Sequence, residues 1–372
     1  MQIRKHPLPS ISPGTAREVA SLHFGTPGAG RKVYIQASLH ADELPGMLVA
    51  HKLRERFLAL EREGRIDGEI VLVPMANPVG IAQAIQGTRF GRFDLASGIN
   101  FNRGYKYMAP ELKESLRGRL SSDARHNVRA VRAAIRESLA GWQTSSETDT
   151  MKKILLSMAA DADIVLDLHC DNEAVMHIYT GTPLAERITP LARLLGAHAV
   201  LLARESGDEP FDEACSRTWW ELAEHFGADF PIPNACLSAT VELRGETEVR
   251  HDYAEQDAAA IVDFLALEGH VRQDVAALPA PSCAPTPLEG VEPVVAPHGG
   301  LLVFLQPVGA SVEPGTALAD LIDPVTGDTT VLRATVTGKF FARTAYRFVQ
   351  RGMRIAKVAG KVPFRTGKLL SE

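Results

Sequence analysis

Cysteine is scarce in this chain of 372 residues. Cys170, Cys215, Cys236 and Cys283 stand far apart and show no C-x-x-C spacing. A disulfide framework and a cysteine-rich zinc module are thereby excluded, and a reducing, cytoplasmic setting is expected. No run approaches 18 consecutive apolar residues and Met1 to Gly14 has no apolar signal core, so neither a membrane partner nor export by the usual secretory route is expected. Positive charge is not in excess either: 40 Lys and Arg face 45 Asp and Glu, for a net charge of −5 and a pI near 6.2. With no basic face, a nucleic-acid partner is not expected. Repeats and long low-complexity tracts are absent. What remains is the composition of an ordinary soluble globular protein, 45% hydrophobic and 23% charged, long enough for two domains of unequal size.

From Lys32 to about Gly269, short β-branched runs alternate with helical patterns. The runs Val33–Ser38, Glu69–Met75, Ile164–His169, Ala174–Tyr179, Ala199–Ala203 and Leu237–Leu243 read as strands. The stretches Met47–Glu63, Ala124–Ala140, Pro183–Leu195, Arg217–Phe226 and Ala254–Glu268 read as helices. That alternation predicts an α/β fold with a mixed, mostly parallel sheet flanked by helices. Pro279, Pro281, Pro285 and Pro287 mark residues 273–290 as an extended linker. Beyond it, short runs punctuated by Gly and Pro predict an all-β unit over 291–372, leaving 1–272 as the catalytic domain.

In a parallel α/β sheet, ligands gather beyond the carboxyl ends of the strands. His40 and Glu43 follow the run Val33-Tyr34-Ile35-Gln36-Ala37, and a His-x-x-Glu pair can aim one imidazole nitrogen and one carboxylate at a single ion. His169 ends the run Ile164-Val165-Leu166-Asp167-Leu168 and supplies a third ligand. Asp167 shares its face, since side chains alternate along a strand, and is placed to orient a ligating imidazole. Two His and one Glu leave a fourth position open for water, the pattern of a catalytic zinc site. Such a site needs a base, and Glu242 stands at the end of Thr240-Val241-Glu242-Leu243; the plain alternative is a surface glutamate paired with Arg244. Arg89, Arg92 and Arg103 cluster with Asn100 and Asn102 downstream of Asn77-Pro78, residue types suited to an oxyanion and a carboxylate.

Together, His40-x-x-Glu43, Asn77-Pro78, Arg92, Asn102-Arg103, Asp167-x-His169 and Thr240-x-Glu242 resemble the succinylglutamate desuccinylase/aspartoacylase family, a branch of the zinc carboxypeptidase fold. The resemblance spans residues 30 to 270 and is strongest to the subgroup encoded beside arginine/ornithine transport genes. It implies one Zn2+ held by His40, Glu43 and His169, with Glu242 as base and then acid. It further implies Arg92 polarising the scissile carbonyl of an N-acyl amino acid, and Asn102 and Arg103 holding its α-carboxylate. Arg217 matches a further substrate-binding arginine more loosely. The chain departs from the family in reading His40-Ala41-Asp42-Glu43 where His-Gly-x-Glu is usual. An apparent insertion also separates Arg92 from Asn102, making Arg89 the alternative for the polarising role. A metallocarboxypeptidase acting on short peptides, or a non-catalytic binding protein on the same fold, are the other readings.

The segment from Glu205 to Glu213 concentrates five acidic residues on an expected loop. A solvated loop is the plain reading; the sharper one lets Asp208 or Asp212 receive a cationic side chain, as in an N-acylated ornithine, arginine or diaminobutyrate. The tail resembles a biotinyl/lipoyl-like barrel-sandwich, but the turn Asp323-Pro324-Val325-Thr326-Gly327-Asp328 carries no lysine. Neither lipoyl nor biotin is therefore expected, and the tail would narrow the cleft or mediate contacts in a homo-oligomer.

Overall fold

The computed structural model describes residues 1–370. A nine-stranded sheet forms the body. Its strands are β1 (Gln2–Pro7), β2 (Glu18–Gly25), β3 (Lys32–Ala37), β4 (Glu69–Val73), β5 (Ile164–Asp171), β6 (His177–Gly181), β7 (Ala199–Ala203), β8 (Leu237–Gly245) and β9 (Thr286–Pro287), in the spatial order β1-β2-β4-β3-β5-β8-β6-β7-β9. The central four, β4-β3-β5-β8, are mutually parallel, and β1 and β2 join one side by antiparallel pairing. On the other side β6 runs antiparallel to β8, while β7 and β9 follow it in parallel.

Both faces of the sheet are covered. Helices α1 (Pro45–Arg62), α4 (Ala185–Leu194) and α6 (His251–Leu267) bury one face; α2 (Ala124–Ala140), α3 (Glu147–Ala159) and α5 (Phe211–Phe226) bury the other. A central strand sandwiched in this way is apolar on both sides, which is why Val33, Tyr34 and Ile35 form a continuous buried run. In α1, Pro45 occupies the first turn, where its missing N–H costs nothing, and Val49, Leu53, Phe57 and Leu60 form one buried stripe. Each such side chain contributes roughly 1.5–3 kcal/mol by leaving water.

The runs expected between Val33 and Leu243 form strands, with one change: Ala174–Tyr179 is interrupted. Glu173–Ala174 leave the sheet to pair elsewhere, and β6 starts at His177. Strands β1 and β2 and helix α3 were not anticipated. The first lies at an exposed edge with little apolar pattern; the last does carry a signal, Ser146 capping the helix by accepting from the Asp149 N–H at 2.9 Å. Helix α5 starts at Phe211, six residues before the expected Arg217, so Asp212 and Glu213 belong to a helical first turn rather than to a loop.

Beyond Gly290 the chain forms two four-stranded sheets from β10 (Val291–Val295), β11 (Gly300–Phe304), β12 (Ser311–Val312), β13 (Ala317–Ile322), β14 (Thr329–Arg333), β15 (Gly338–Arg343), β16 (Phe348–Val349) and β17 (Arg354–Gly360). Their orders are β10-β17-β15-β12 and β14-β13-β11-β16, closed over Leu302, Leu318, Leu321, Phe340 and Val358. Several connections tie this unit to the body. Ala174 and Glu173 pair with Ala342 and Arg343 of β15, β9 extends the main sheet from within the proline-rich stretch, and Lys357 of β17 forms an ion pair with Asp171 of β5. The end of that stretch, residues 286–290, is therefore strand and 3-10 turn rather than free connector.

Candidate active site

Strands β3, β5 and β8 lie side by side, and their carboxyl ends open into one cavity of about 500 Å3. His40 and Glu43 follow β3, His169 lies on β5, and Glu242 on β8 stands directly opposite His169 in the strand register. The loop carrying His40 is held from two sides. Asn77 donates its amide to the Leu39 carbonyl at 2.8 Å, and the Ala41 N–H donates to the Gly91 carbonyl at 2.9 Å. Gly91 has no substitute there, because a Cβ would sit 2.2 Å from the Asp42 nitrogen.

The two imidazoles converge on one carboxylate. His40 Nδ1 lies 2.8 Å from Glu43 Oε1, and His169 Nδ1 lies 2.7 Å from Glu43 Oε2. Their far nitrogens both face oxygens, and for His40 a hydrogen bond sets the tautomer. Asn100 Oδ1 accepts the Asn102 N–H at 2.8 Å, so it must be the oxygen that faces His40 Nε2 at 2.9 Å, and that nitrogen carries the proton. His169 Nε2 faces Asp167 Oδ2 at 2.9 Å, and Asp167 is held in turn by Gln36 at 3.0 Å, itself bonded by the Tyr34 hydroxyl at 2.8 Å. The His40 Nδ1 lone pair and the His169 Nδ1 atom both point at Glu43, an arrangement that would ligate one ion once His169 gives up its Nδ1 proton.

The electrostatics fit a cation. Burial disfavours an ionised Glu43, but the two histidines outweigh it and hold its pKa well below the ordinary value. For His40, burial dominates and lowers the pKa, favouring the neutral ring. His169 goes the other way: burial opposes its charge, yet Asp167 and Glu43 overcome that and raise its pKa well above normal. Two carboxylates aimed at one buried imidazole make a place for positive charge, which a proton or a metal ion can fill. One donor atom from each of His40, Glu43 and His169 lies within 4.8 Å of the others, close enough to close around a single ion.

Glu242 is half-buried, and its Oε2 is buried with no hydrogen-bond partner among the described residues. Burial first, and then the neighbouring Glu43, push its pKa up to about 8. The plain alternative for this residue fails, since Arg244 pairs bidentately with Asp257 at 2.8 and 3.0 Å. A half-buried carboxyl group with an unsatisfied oxygen, beside a cluster that can hold a metal ion, is suited to taking up and returning a proton.

The other expected residues divide. Arg92 lies in the cavity wall, its Nη1 3.4 Å from His40 Nδ1 and 3.7 Å from Glu43 Oε1. Arg89 is at the exposed rim, on a two-residue strand. Arg103 lines the cavity. Asn102 does too, but its Oδ1 accepts the Phe211 N–H at 2.9 Å and so also fixes the start of α5. Asp212 is buried in the cavity wall. Arg217 and Asp208 are not where the sequence suggested. Arg217 binds Glu221 at 2.6 Å and Glu205 at 3.0 Å over the Tyr107 ring, on a separate surface depression, and the Asp208 carboxylate meets Lys368 at 2.8 Å.

Several contributors have roles that the sequence does not specify. Asn100 sets the His40 tautomer, and Gln36 holds Asp167. Lys152, buried on α3, donates to the carbonyls of Asn100 and Arg103 at 3.2 and 2.7 Å and fixes that turn, with burial lowering its pKa to about 8. The β-rich tail supplies Arg343, Thr344, Tyr346 and Lys357 to the cavity wall. The only advance signal for Asn100 was its place in the Asn-x-Asn-Arg run, and nothing local marked Lys357.

Residues 29–267 match the succinylglutamate desuccinylase/aspartoacylase catalytic domain. The chain belongs to this family. Its members are deacylases, and the cluster of His40, Glu43 and His169 in this one can hold a metal ion. Among solved structures, a protein assigned to the same family from Shewanella amazonensis SB2B is 28% identical, with a TM-score of 0.83 over 97% of this chain and 99% of that one. A second, from Shewanella frigidimarina NCIMB 400, is 24% identical, with a TM-score of 0.84 over 96% and 97%. The ectoine utilization protein EutE (DoeB) from Ruegeria pomeroyi, at 15% identity, shares the fold with a TM-score of 0.69 over 96% and 95%. These matches run through the β-rich tail as well as the body. No curated protein sequence matches the chain. No helix among the described residues is long and apolar enough to cross a membrane.

Proposed function

We propose that the protein hydrolyses the amide bond of an N-acyl amino acid, using Zn2+ held by His40, Glu43 and His169. The observation that carries this reading is the convergence of two oriented Nδ1 atoms on the Glu43 carboxylate, beside the unpaired Glu242. A bound divalent ion would supply Lewis-acid activation of water and of the scissile carbonyl. Glu242, its Oε2 unpaired, takes the proton from the attacking water and returns it to the leaving amine; the positive charge of a bound ion would keep its carboxylate ionised for the first of these tasks. Arg92, beside His40, stabilises the negative charge that develops on the carbonyl oxygen, and Arg103 with Asn102 receives the α-carboxylate. The wall supplied by Arg343, Tyr346 and Lys357 favours small acylated amino acids over peptides. Four free cysteines agree with a cytoplasmic setting.

The test is a screen of acetyl-, succinyl- and formyl-amino acids against zinc-loaded protein, reading release of free amine, with Glu242→Gln as the blank. Turnover of at least one compound by the wild type and not by the variant is expected. Turnover confined to dipeptides with a free C-terminus would favour a carboxypeptidase instead, and equal rates in both proteins would remove the hydrolase reading.

A further inference from the structure

We propose that Asp212 and Glu213, together with Ser206, form a subsite for a positively charged substrate side chain, so that the acylated amino acids taken are of the ornithine, lysine and arginine class. The inference rests on the amide-hydrolase reading above and deepens it.

The first observation is placement. The segment before α5 is fastened to the turn that carries Arg103. The Gly104 N–H donates to the Asp208 carbonyl at 2.8 Å, the Tyr105 N–H to the Glu209 carbonyl at 3.1 Å, and the Phe211 N–H to Asn102 Oδ1 at 2.9 Å. Asp212 and Glu213 are thereby set in the cavity wall next to the proposed carboxylate-binding pair. Asn102, Arg103, Asp212 and Glu213 line the same cavity, so an amino acid held by its α-carboxylate would have these acids within the space open to its side chain.

The second observation is unmet hydrogen-bonding capacity. Glu213 is 8% exposed; its Oε1 accepts the Ser206 N–H at 2.8 Å, but its Oε2 has no hydrogen-bond partner among the described residues. Ser206 Oγ, also lining the cavity, is buried and lies against this carboxylate without a well-aligned hydrogen bond to it. The positive end of α5 accounts for acids in a first turn, but acids placed there for that reason are ordinarily solvated. Burying two adjacent carboxylates is costly without a cation. The strain shows in Asp212, where burial and then Glu213 push the pKa up to about 7. An ammonium or guanidinium group offers several donors on one charge and would satisfy Glu213 Oε2 and Ser206 Oγ together.

The competing role for the pair is to position Arg103, whose charge Asp212 and Glu213 also support. Comparing a substrate with its uncharged isostere separates the two. For zinc-loaded wild type, kcat/KM for N-acetyl-L-ornithine should exceed that for N-acetyl-L-norleucine by about tenfold or more, and Asp212→Asn or Glu213→Gln should each reduce that ratio about tenfold. A wild-type ratio near one, or variants that slow both substrates in proportion, would overturn the subsite. Calorimetric binding of the same two compounds to zinc-loaded Glu242→Gln gives a reading without turnover, and equal affinities there would also overturn it. Cleavage without preference would sink the subsite and leave the hydrolase reading intact. Preferential binding without cleavage in the wild type would do the reverse.

Discussion

His40, Glu43, His169 and Glu242 enter the cavity from three adjacent strands of one buried sheet, whereas Arg343 and Lys357 reach it from β15 and β17 of a separate β sandwich. The first set is held by short internal contacts: a hydrogen bond from His40 to Asn100, the charge of Asp167 facing His169, and Glu43 between the two rings. The second is held across the boundary, through Lys357 on Asp171 and through Arg343 and Arg347 on Glu173. The reactive groups thus depend on a rigid scaffold of parallel strands, and the shape of the cavity depends on how a second unit is fastened to it. On the proposed reading the first wall carries the chemistry and the second sets what fits, with Lys357 also near enough to Glu242 to bias its charge.

The sharpest way to break that division is at the body wall. Glu242→Gln removes the proton acceptor while keeping the side chain's shape, and kcat should fall by roughly 10³-fold or more with metal content unchanged. A fall below tenfold would move the base elsewhere. Arg92→Ala should come next, lowering kcat by about 10²-fold with little change in KM, as loss of transition-state stabilisation requires. Steady-state kinetics on the best substrate of the screen would check both.

At the other wall the expected effects are smaller and different in kind. Lys357→Met leaves the Asp171 carboxylate at the domain boundary without its partner. It should cost about 1–3 kcal/mol in denaturant unfolding and raise KM more than it lowers kcat. A loss confined to kcat would mean that Lys357 serves the chemistry and that the two walls are not separate. Arg217→Ala is the control. Its partners Glu221 and Glu205 lie on another surface, so kcat/KM should stay within about twofold and stability within about 1 kcal/mol.

The metal-ligand cluster was legible because each part is local. His40 and Glu43 are three residues apart at a strand end, and Asp167 and His169 share a face by simple alternation. The assembly of the parts followed from adjacent parallel strands having their carboxyl ends on one side. Arg217 lies outside the cavity, and the sequence carries a sign of this, since Glu221 four residues later is a natural helical partner. Asp212 and Glu213 read as loop because the helix was started too late; Pro210 followed by acids in a first turn is an opening signal. Lys357 meets Asp171 across 186 positions, a pairing created by the tail folding back. No local pattern can carry that information. The same holds for β9, whose two residues sit among prolines yet close the edge of the main sheet.

All of this depends on one divalent ion sitting between His40, Glu43 and His169. The direct test is metal stoichiometry by mass spectrometry on purified protein equilibrated with Zn2+ and freed of excess. The expected result is one ion per chain in the wild type and in Glu242→Gln, and close to none in His169→Ala or Glu43→Ala with the fold intact by circular dichroism. Full retention of the ion by His169→Ala, or a wild type that binds none and still turns over substrate after exhaustive chelation, would contradict the account.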